Sequence, residues 1–195
     1  MDNLQDINFL KQLTDVKKIK TILYSKQENI ITIDKLLQQA SEIEPSNFHV
    51  WYAWGIIKKL QDDLTAAKKY LEKALDLKSS SISAWCELGR VLSFKGNYRE
   101  AEEIFLRILE SDLDITSIIN SEIILYTVDN YASWANAEFK KKEKKSWMEK
   151  AQIAFESVLV AIDLAPTDRR IHELHKKICL DIGLGFFRIG DRKNG

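Results

Sequence analysis

Apolar side chains recur every three or four positions along most of the chain, and no stretch longer than a few residues alternates apolar with polar side chains. The first pattern is typical of amphipathic helices and the second of strands. Glycine and proline are scarce, at 7 and 2 of 195 residues, although a protein rich in sheets needs them for its many turns. The sequence therefore predicts an all-α fold of long helices with short links.

An internal repeat organises the middle of the chain. The stretch from Phe48 aligns without a gap with the stretch from Ile82, and the offset is 82 − 48 = 34. The aligned pairs include Trp51 with Trp85, Gly55 with Gly89, Ala67 with Ala101 and Leu71 with Phe105. A fixed period of this length indicates a repeat architecture in which neighbouring units stack.

The spacing within each stretch predicts a pair of packed helices. Trp51 and Gly55 lie on one stripe of a first helix, where the glycine allows a second helix to approach closely. Ala67, on the second helix, is also small and allows the same close approach, and Leu71 fills the space beside it. Turn-forming residues at 61–63 and 95–97 separate the two helices in each unit. Each stretch is therefore predicted to be a helical hairpin.

The run AWCELGRVLSFKGNYREAEEIF resembles the tetratricopeptide repeat. It carries the signature of that family as Trp85, Leu88-Gly89, Gly96-Asn97-Tyr98 and the Ala101 to Phe105 spacing. The stretch from Phe48 departs from the pattern at its turn, where Asp62-Asp63-Leu64 replaces Gly-Asn-Tyr. The resemblance implies an α-solenoid, a right-handed superhelical array of antiparallel hairpins with about four repeats.

We expect one array over residues 1–195. It comprises a degenerate repeat at 14–47, with a first helix from about Thr14 to Ser25, repeats at 48–81 and 82–115, an elongated repeat at 116–168 and a terminal half-repeat or cap at 169–195. The elongated repeat carries a lysine-rich insertion, with one helix from Ser117 to about Phe139 and the next starting near Ser146-Trp147. Ile182-Gly183 occupies the Leu-Gly place of the last, unfinished repeat. Its apolar Phe186, Phe187 and Ile189 favour continuation in a longer protein over a natural cap.

The resemblance also implies a binding surface, because first helices of this family line a concave face that binds a peptide or a partner helix. The residues expected to face this groove combine apolar and cationic side chains, which suit a partner with one or two acidic groups. They are His49, Tyr52, Ile56, Lys59, Cys86, Arg90, Phe94, Asn120 and Ile124. Some family members clamp a terminal carboxylate with Lys and Asn, but Tyr52, Ile56 and Glu87 occupy the matching places here, so that activity is not expected.

Charge and composition argue against several other functions, and a nucleic-acid role is the least favoured of those considered. The 29 basic and 29 acidic residues give zero net charge, which speaks against a nucleic-acid or membrane-surface partner. No apolar run reaches the length of about 18 residues that a membrane helix needs. Two cysteines and a start without the features of a secretory signal predict a cytoplasmic protein.

Chemistry-bearing motifs are missing from the sequence, so we predict a non-enzymatic protein without a cofactor. No phosphate-binding glycine loop or nucleophile motif occurs. His172, His175 and Cys179 share one helix face, but a zinc site lacks a fourth ligand, so no metal is expected. The run KKKEKK at 140–145 is interpreted as a solvated loop rather than an import or phosphate-binding patch. Trp134 and Trp147, which flank the insertion, either pack together or mark a partner surface.

Three roles stay open at this point. The first is a protein-interaction scaffold. The second is a regulatory or sensor segment of a larger signalling protein, for example one with an ATPase module. The third is self-assembly through the apolar C-terminal helix.

Overall fold

Helices make up nearly all of the chain that the structure, a computed structural model, describes. It describes residues 29–110 and 117–190, with side chains in 33–110 and 122–185. The helices are α1 (Asn29–Ile43), α2 (Phe48–Leu60), α3 (Leu64–Leu77), α4 (Ile82–Phe94), α5 (Tyr98–Leu109), α6 (Ser117–Lys140), α7 (Lys144–Leu164) and α8 (Arg169–Gly190). These ranges contain no strand, and the all-α prediction is confirmed. The predicted helix from Thr14 to Ser25 lies outside the described residues.

Short polar side chains start three of the helices. Asn47 accepts a hydrogen bond from the His49 amide at 2.9 Å, and Asp63 accepts one from the Ala66 amide at 3.0 Å. Ser81 does the same for the Ala84 amide at 3.3 Å. These bonds satisfy amides that the first turn of a helix leaves without a partner. The sequence therefore fixes the helix starts locally.

Three turns between consecutive helices each contain a residue with positive φ. The residues are Asp62 (φ 63°), Gly96 (φ 82°) and Lys142 (φ 67°). Asp62 and Gly96 occupy the same position in consecutive repeats, one full repeat apart. The first repeat lacks the Gly-Asn-Tyr sequence, but its turn has the same positive φ at this position. Left-handed backbone is cheap for glycine and more costly for a side chain such as that of Lys142.

The chain forms two compact units, one ending at Lys95 and one beginning at Gly96. In the first unit α2 packs against α1 and α3, and α3 packs against α4. A Cβ atom added at Gly55 would lie 2.6 Å from Leu71 Cγ and 3.3 Å from the Ala67 carbonyl oxygen. The predicted close approach of the second helix at Gly55 is therefore present.

Polar and aromatic contacts tie α1 to α2 and α2 to α3. Asp34 accepts hydrogen bonds from Trp54 Nε1 at 2.7 Å and Lys58 Nζ at 2.8 Å. The Trp54 ring stacks on Tyr70 with a centroid distance of 4.1 Å. Stacked aromatic pairs add to the free energy gained by burying their area, so Trp54 links three helices of this unit.

The second unit is built around the long helices α6 and α7. Its core contains Val128, Tyr131, Val158, Ile171 and Ile178. The predicted helix from Ser117 to about Phe139 is confirmed as α6. Helix α7 begins at Lys144, two residues before the predicted start, because Lys142 reverses the chain and Glu143 takes the N-cap position.

The final helix differs from the expected alignment. Asp168 accepts from the Arg170 amide at 2.9 Å, and the His172 ring lies 2.7 Å from the Pro166 carbonyl oxygen. Trp51 Nε1 donates in the same way to the Pro45 carbonyl oxygen, six residues earlier. His172 therefore takes the place of Trp51, and Gly183 lies about two turns beyond the place of the motif glycine.

The glycine of α8 that does make a close contact is Gly185. A Cβ atom there would lie 2.2 Å from the Trp147 ring, whereas one at Gly183 would meet no heavy atom within 4 Å. Trp147 is buried with Ala135 and Ala151, beside Phe139 and Ile182. Close helix packing in this unit thus depends on a glycine and tryptophan pair from α8 and α7.

Candidate functional site

A buried network of three charges joins α2 to α4 in the first unit. Lys59 Nζ donates a hydrogen bond to Glu87 Oε2, and Arg90 Nη1 donates one to Glu87 Oε1 at 3.0 Å. The side chains of Lys59 and Glu87 are only 5% and 7% exposed, while that of Arg90 is 23% exposed. Both basic residues contact the same carboxylate, and Arg90 is the most exposed member of the network.

The environment of Glu87 favours its ionised form. Burial by itself raises the pKa of Glu87. The nearby charges of Lys59 and Arg90 and their hydrogen bonds lower it by a larger amount, so the pKa of Glu87 lies below its ordinary value. An ion pair withdrawn from water needs such additional hydrogen bonds to offset its desolvation. Glu87 therefore holds the two cations in place as a carboxylate.

An exposed aromatic ring lies next to the network. The Arg90 guanidinium carbon is 6.0 Å from the centroid of the Phe94 ring, one helical turn along α4. Phe94 is 53% exposed, although it is a large apolar residue. Guanidinium groups stack favourably on aromatic faces, so Arg90 and Phe94 form a composite surface with a cationic edge and an apolar face.

Four of the predicted groove residues are buried. Ile56 is 0% exposed, and Tyr52, Lys59 and Cys86 are 4%, 8% and 8% exposed. These side chains pack inside the first unit because the hairpins bring α2 and α4 together in the interior. These four side chains therefore contribute to the packing of the first unit and do not lie on its surface.

The remaining predicted groove residues differ in their surroundings. His49 is exposed, with its ring edge-on to Phe48 at a centroid distance of 5.1 Å. Ile124 is half-buried and packs against the core of the second unit. The side chain of Asn120 lies outside the described side chains. Within the first unit, His49, Arg90 and Phe94 are therefore the predicted residues that reach solvent.

Glu87 is the residue of this site that sequence reasoning undervalued. It enters the sequence argument only as a residue that replaces a carboxylate clamp, although the structure makes it the anion that binds both cations. A signal was available, since Lys59 and Glu87 carry opposite charges on first helices of adjacent repeats. The pairing itself depends on how far apart the two helices lie.

Among the other candidate residues, His175 and Trp134 make packing contacts. The His175 ring lies 5.8 Å from the Phe155 ring, and Cys179 is exposed. Among the described residues, no three His, Cys, Asp or Glu side chains form a group that could hold a metal ion. Trp134 stacks on Tyr98 and Tyr131 and lies 4.3 Å from Lys150 Nζ.

The lysine-rich run forms the exposed turn between α6 and α7. Residues 140–145 are all exposed, and Lys141 pairs with Glu138 at 3.0 Å. Among the described helices, none combines the length and apolar character that crossing a membrane requires.

Stacked helical hairpins with a fixed repeat period define the class of helical-repeat proteins. The family model of the tetratricopeptide repeat matches residues 48–81 and 82–115, which confirms the predicted resemblance for these two stretches. Comparison with curated proteins finds no match to the chain. Tetratricopeptide repeats generally mediate protein–protein interactions.

Proposed function

We propose that the protein is a non-enzymatic interaction module that binds a short acidic peptide or helix at the surface of α4 around Arg90 and Phe94. The observation that supports this function is the half-exposed Phe94 ring beside Arg90, which Glu87 holds in place. A large apolar residue with an adjacent arginine is the kind of anchor that dominates binding energy at protein interfaces.

The charges of the network favour an acidic partner. The Arg90 side chain is 23% exposed beside Phe94, so an acidic side chain of a partner can form a charge-assisted hydrogen bond with its guanidinium group. Lys59 acts indirectly in this proposal, because its buried amine fixes Glu87 and does not reach the surface. An aliphatic or aromatic side chain of the partner would cover Phe94.

Selection of peptides from a random display library against the purified full chain tests this function. We expect the selected peptides to combine an acidic residue with a large apolar one. Phe94→Ala should weaken their binding by about tenfold or more, the loss typical of an interface anchor. Leu77→Ala serves as a control in the same unit, since Leu77 is an exposed apolar residue of α3.

Two results would count against the proposal. One is a set of selected peptides without acidic residues. The other is equal loss of binding in Phe94→Ala and Leu77→Ala, since the side chain at 94 would then have no particular role. Circular dichroism of each variant establishes that the helices persist.

A further inference from the structure

The turn between α6 and α7 places a serine directly after the most basic run of the chain. Residues 140–145 comprise five lysines and one glutamate, and all six are exposed. Ser146 follows them and is partly exposed. Among the six residues before each serine or threonine, five are basic for Ser146, three for Thr21 and at most two for any other. Ser146 is therefore the hydroxyl residue with the most basic surroundings along the sequence.

We propose that Ser146 is a phosphorylation site for a protein kinase that selects basic residues before its target serine. Kinases distinguish their substrates partly by the pattern of charges around the target residue. A run of exposed lysines is complementary to a kinase whose substrate-binding surface is acidic. The site belongs to the second unit, and it does not depend on the interaction proposed for Arg90 and Phe94.

The reaction uses ATP as its second substrate. The bond between the γ-phosphorus and the oxygen that joins it to the β-phosphate breaks, and a bond from the γ-phosphorus to Ser146 Oγ forms. The hydroxyl proton of Ser146 passes to the catalytic carboxylate of the kinase, and ADP leaves. The products are phosphoserine, ADP and a proton.

The start of α7 can open at low cost, which exposes Ser146 to an enzyme. Ser146 is the third residue of α7, and the amides of a first helical turn have no partner within the helix. Glu143 takes the N-cap position, but its side chain makes no capping hydrogen bond. The helices α2, α3 and α4, by contrast, are capped by side chains. A first turn without a cap opens more readily than a capped one.

Two neighbours define what the modification would change locally. Glu138 has a pKa below its ordinary value, chiefly because Lys141 donates a hydrogen bond to it at 3.0 Å, and a hydrogen bond from the Ser146 hydroxyl contributes. A phosphate on Ser146 repels the Glu138 carboxylate. Lys141 is 66% exposed, so it can exchange Glu138 for the phosphate. Trp147 is buried, so opening of the turn is confined to the residues before it.

Phosphorylation would also change the charge of the turn. Residues 138–146 contain five lysines and two glutamates, so their net charge is 5 − 2 = +3. A phosphoserine carries about −1.5 to −2 at pH 7. The modification therefore removes half or more of this positive charge, which weakens the attraction of the turn for any anionic surface.

Phosphorylation of the purified full chain in vitro tests the proposal. The chain is incubated with ATP and either protein kinase C or the catalytic subunit of the cyclic-AMP-dependent kinase, and mass spectrometry locates the phosphate. We expect at least one of these kinases to modify Ser146 faster than any other residue. Ser146→Ala should remove the phosphate from the turn.

A pair of double variants tests the role of the lysines. Lys141→Glu combined with Lys142→Glu should slow phosphorylation of Ser146 by about tenfold or more, because these charges attract the kinase. Lys176→Glu combined with Lys177→Glu makes the same change of charge at exposed residues of α8. This control should leave the rate unchanged within about twofold.

Glu143→Asp tests the opening of the first turn. Aspartate is a strongly preferred N-cap and keeps the negative charge, so the variant should slow phosphorylation of the full chain by about fivefold. A synthetic peptide of residues 138–150 is too short for a stable helix. The same substitution should therefore leave the phosphorylation rate of this peptide unchanged.

Four outcomes would overturn the proposal. One is the absence of phosphate at Ser146 with both kinases, and another is faster modification of a different residue. A third is equal slowing in the two double variants, because the lysines of the turn would then have no particular role. The last is an unchanged rate for the full chain with Glu143→Asp, because the site depends on opening of the first turn of α7.

Discussion

At the scale of single residues, a glycine has an effect on stability that depends on what lies beside it. Gly55 and Gly183 are both within helices, but Leu71 occupies the space next to Gly55 while the space next to Gly183 is open. Alanine improves the intrinsic helix propensity at either position. Whether alanine stabilises or destabilises the protein at these positions therefore depends on the neighbouring helix.

Gly55→Ala should destabilise the protein by about 1–3 kcal/mol, because the new methyl group would overlap Leu71. Gly183→Ala is the matched control and should stabilise it by about 0.5–1 kcal/mol, since it meets nothing. Urea unfolding of both variants measures the difference. A gain in stability from Gly55→Ala would contradict the close packing of α2 and α3.

The turn between α6 and α7 contains a second residue whose backbone determines the effect of substitution. Lys142 has a φ of 67°, which costs a residue with a side chain about 1 kcal/mol relative to glycine. Lys142→Gly should therefore raise the free energy of unfolding by about that amount. Thermal unfolding measures it, with Lys141→Gly as the control.

Lys141 precedes Lys142 directly, is also exposed and does not have positive φ. Its replacement by glycine should therefore give no gain in stability. If both variants were stabilised alike, removal of positive charge from the turn would be the cause, and the argument from backbone conformation would be wrong.

At the scale of helices, α2 and α4 are joined by a buried carboxylate. Glu87→Gln removes the carboxylate charge that pairs with Lys59 and Arg90, which are buried and partly buried. We expect a loss of about 3 kcal/mol at neutral pH. Glu72→Gln, in an exposed pair with Lys68 at 3.8 Å, should cost less than about 1 kcal/mol.

The pH dependence of stability provides a separate test of this pair. The pKa of Glu87 is lower in the folded protein than in the unfolded chain, so its contribution is complete above the unfolded value of about 4.3 and is lost as the pH falls through the folded value. The stability difference between the natural protein and Glu87→Gln should therefore shrink in acid. A difference that stays constant at every pH below about 4 would contradict a lowered pKa.

At the scale of the whole molecule, two histidines of the last helix take part in helix contacts, and we expect stability to be independent of a metal ion. His172 contacts the Pro166 carbonyl and His175 contacts Phe155. Addition of a chelator should leave the midpoint of thermal unfolding unchanged within about 1 °C. A fall of several degrees, corresponding to about 1 kcal/mol or more, would show that a metal site contributes.

The sequence by itself determined the helices, their hairpin pairing and the repeat family. A fixed repeat period, a glycine opposite a leucine and capping side chains are features of short stretches of sequence. They can therefore be recognised before the neighbouring helix is known. The long helix α6 was predictable for the same reason, since its apolar positions recur at helical spacing.

Only the tertiary structure decided which candidate binding residues reach solvent. Ile56 and Phe94 are both apolar residues of first helices, yet one is fully covered and the other half-exposed. The pairing of Glu87 with both cations, and the choice of Gly185 over Gly183 as the packed glycine of α8, depend on distances between helices. Such distances arise from all the side chains at an interface together, so no local pattern encodes them.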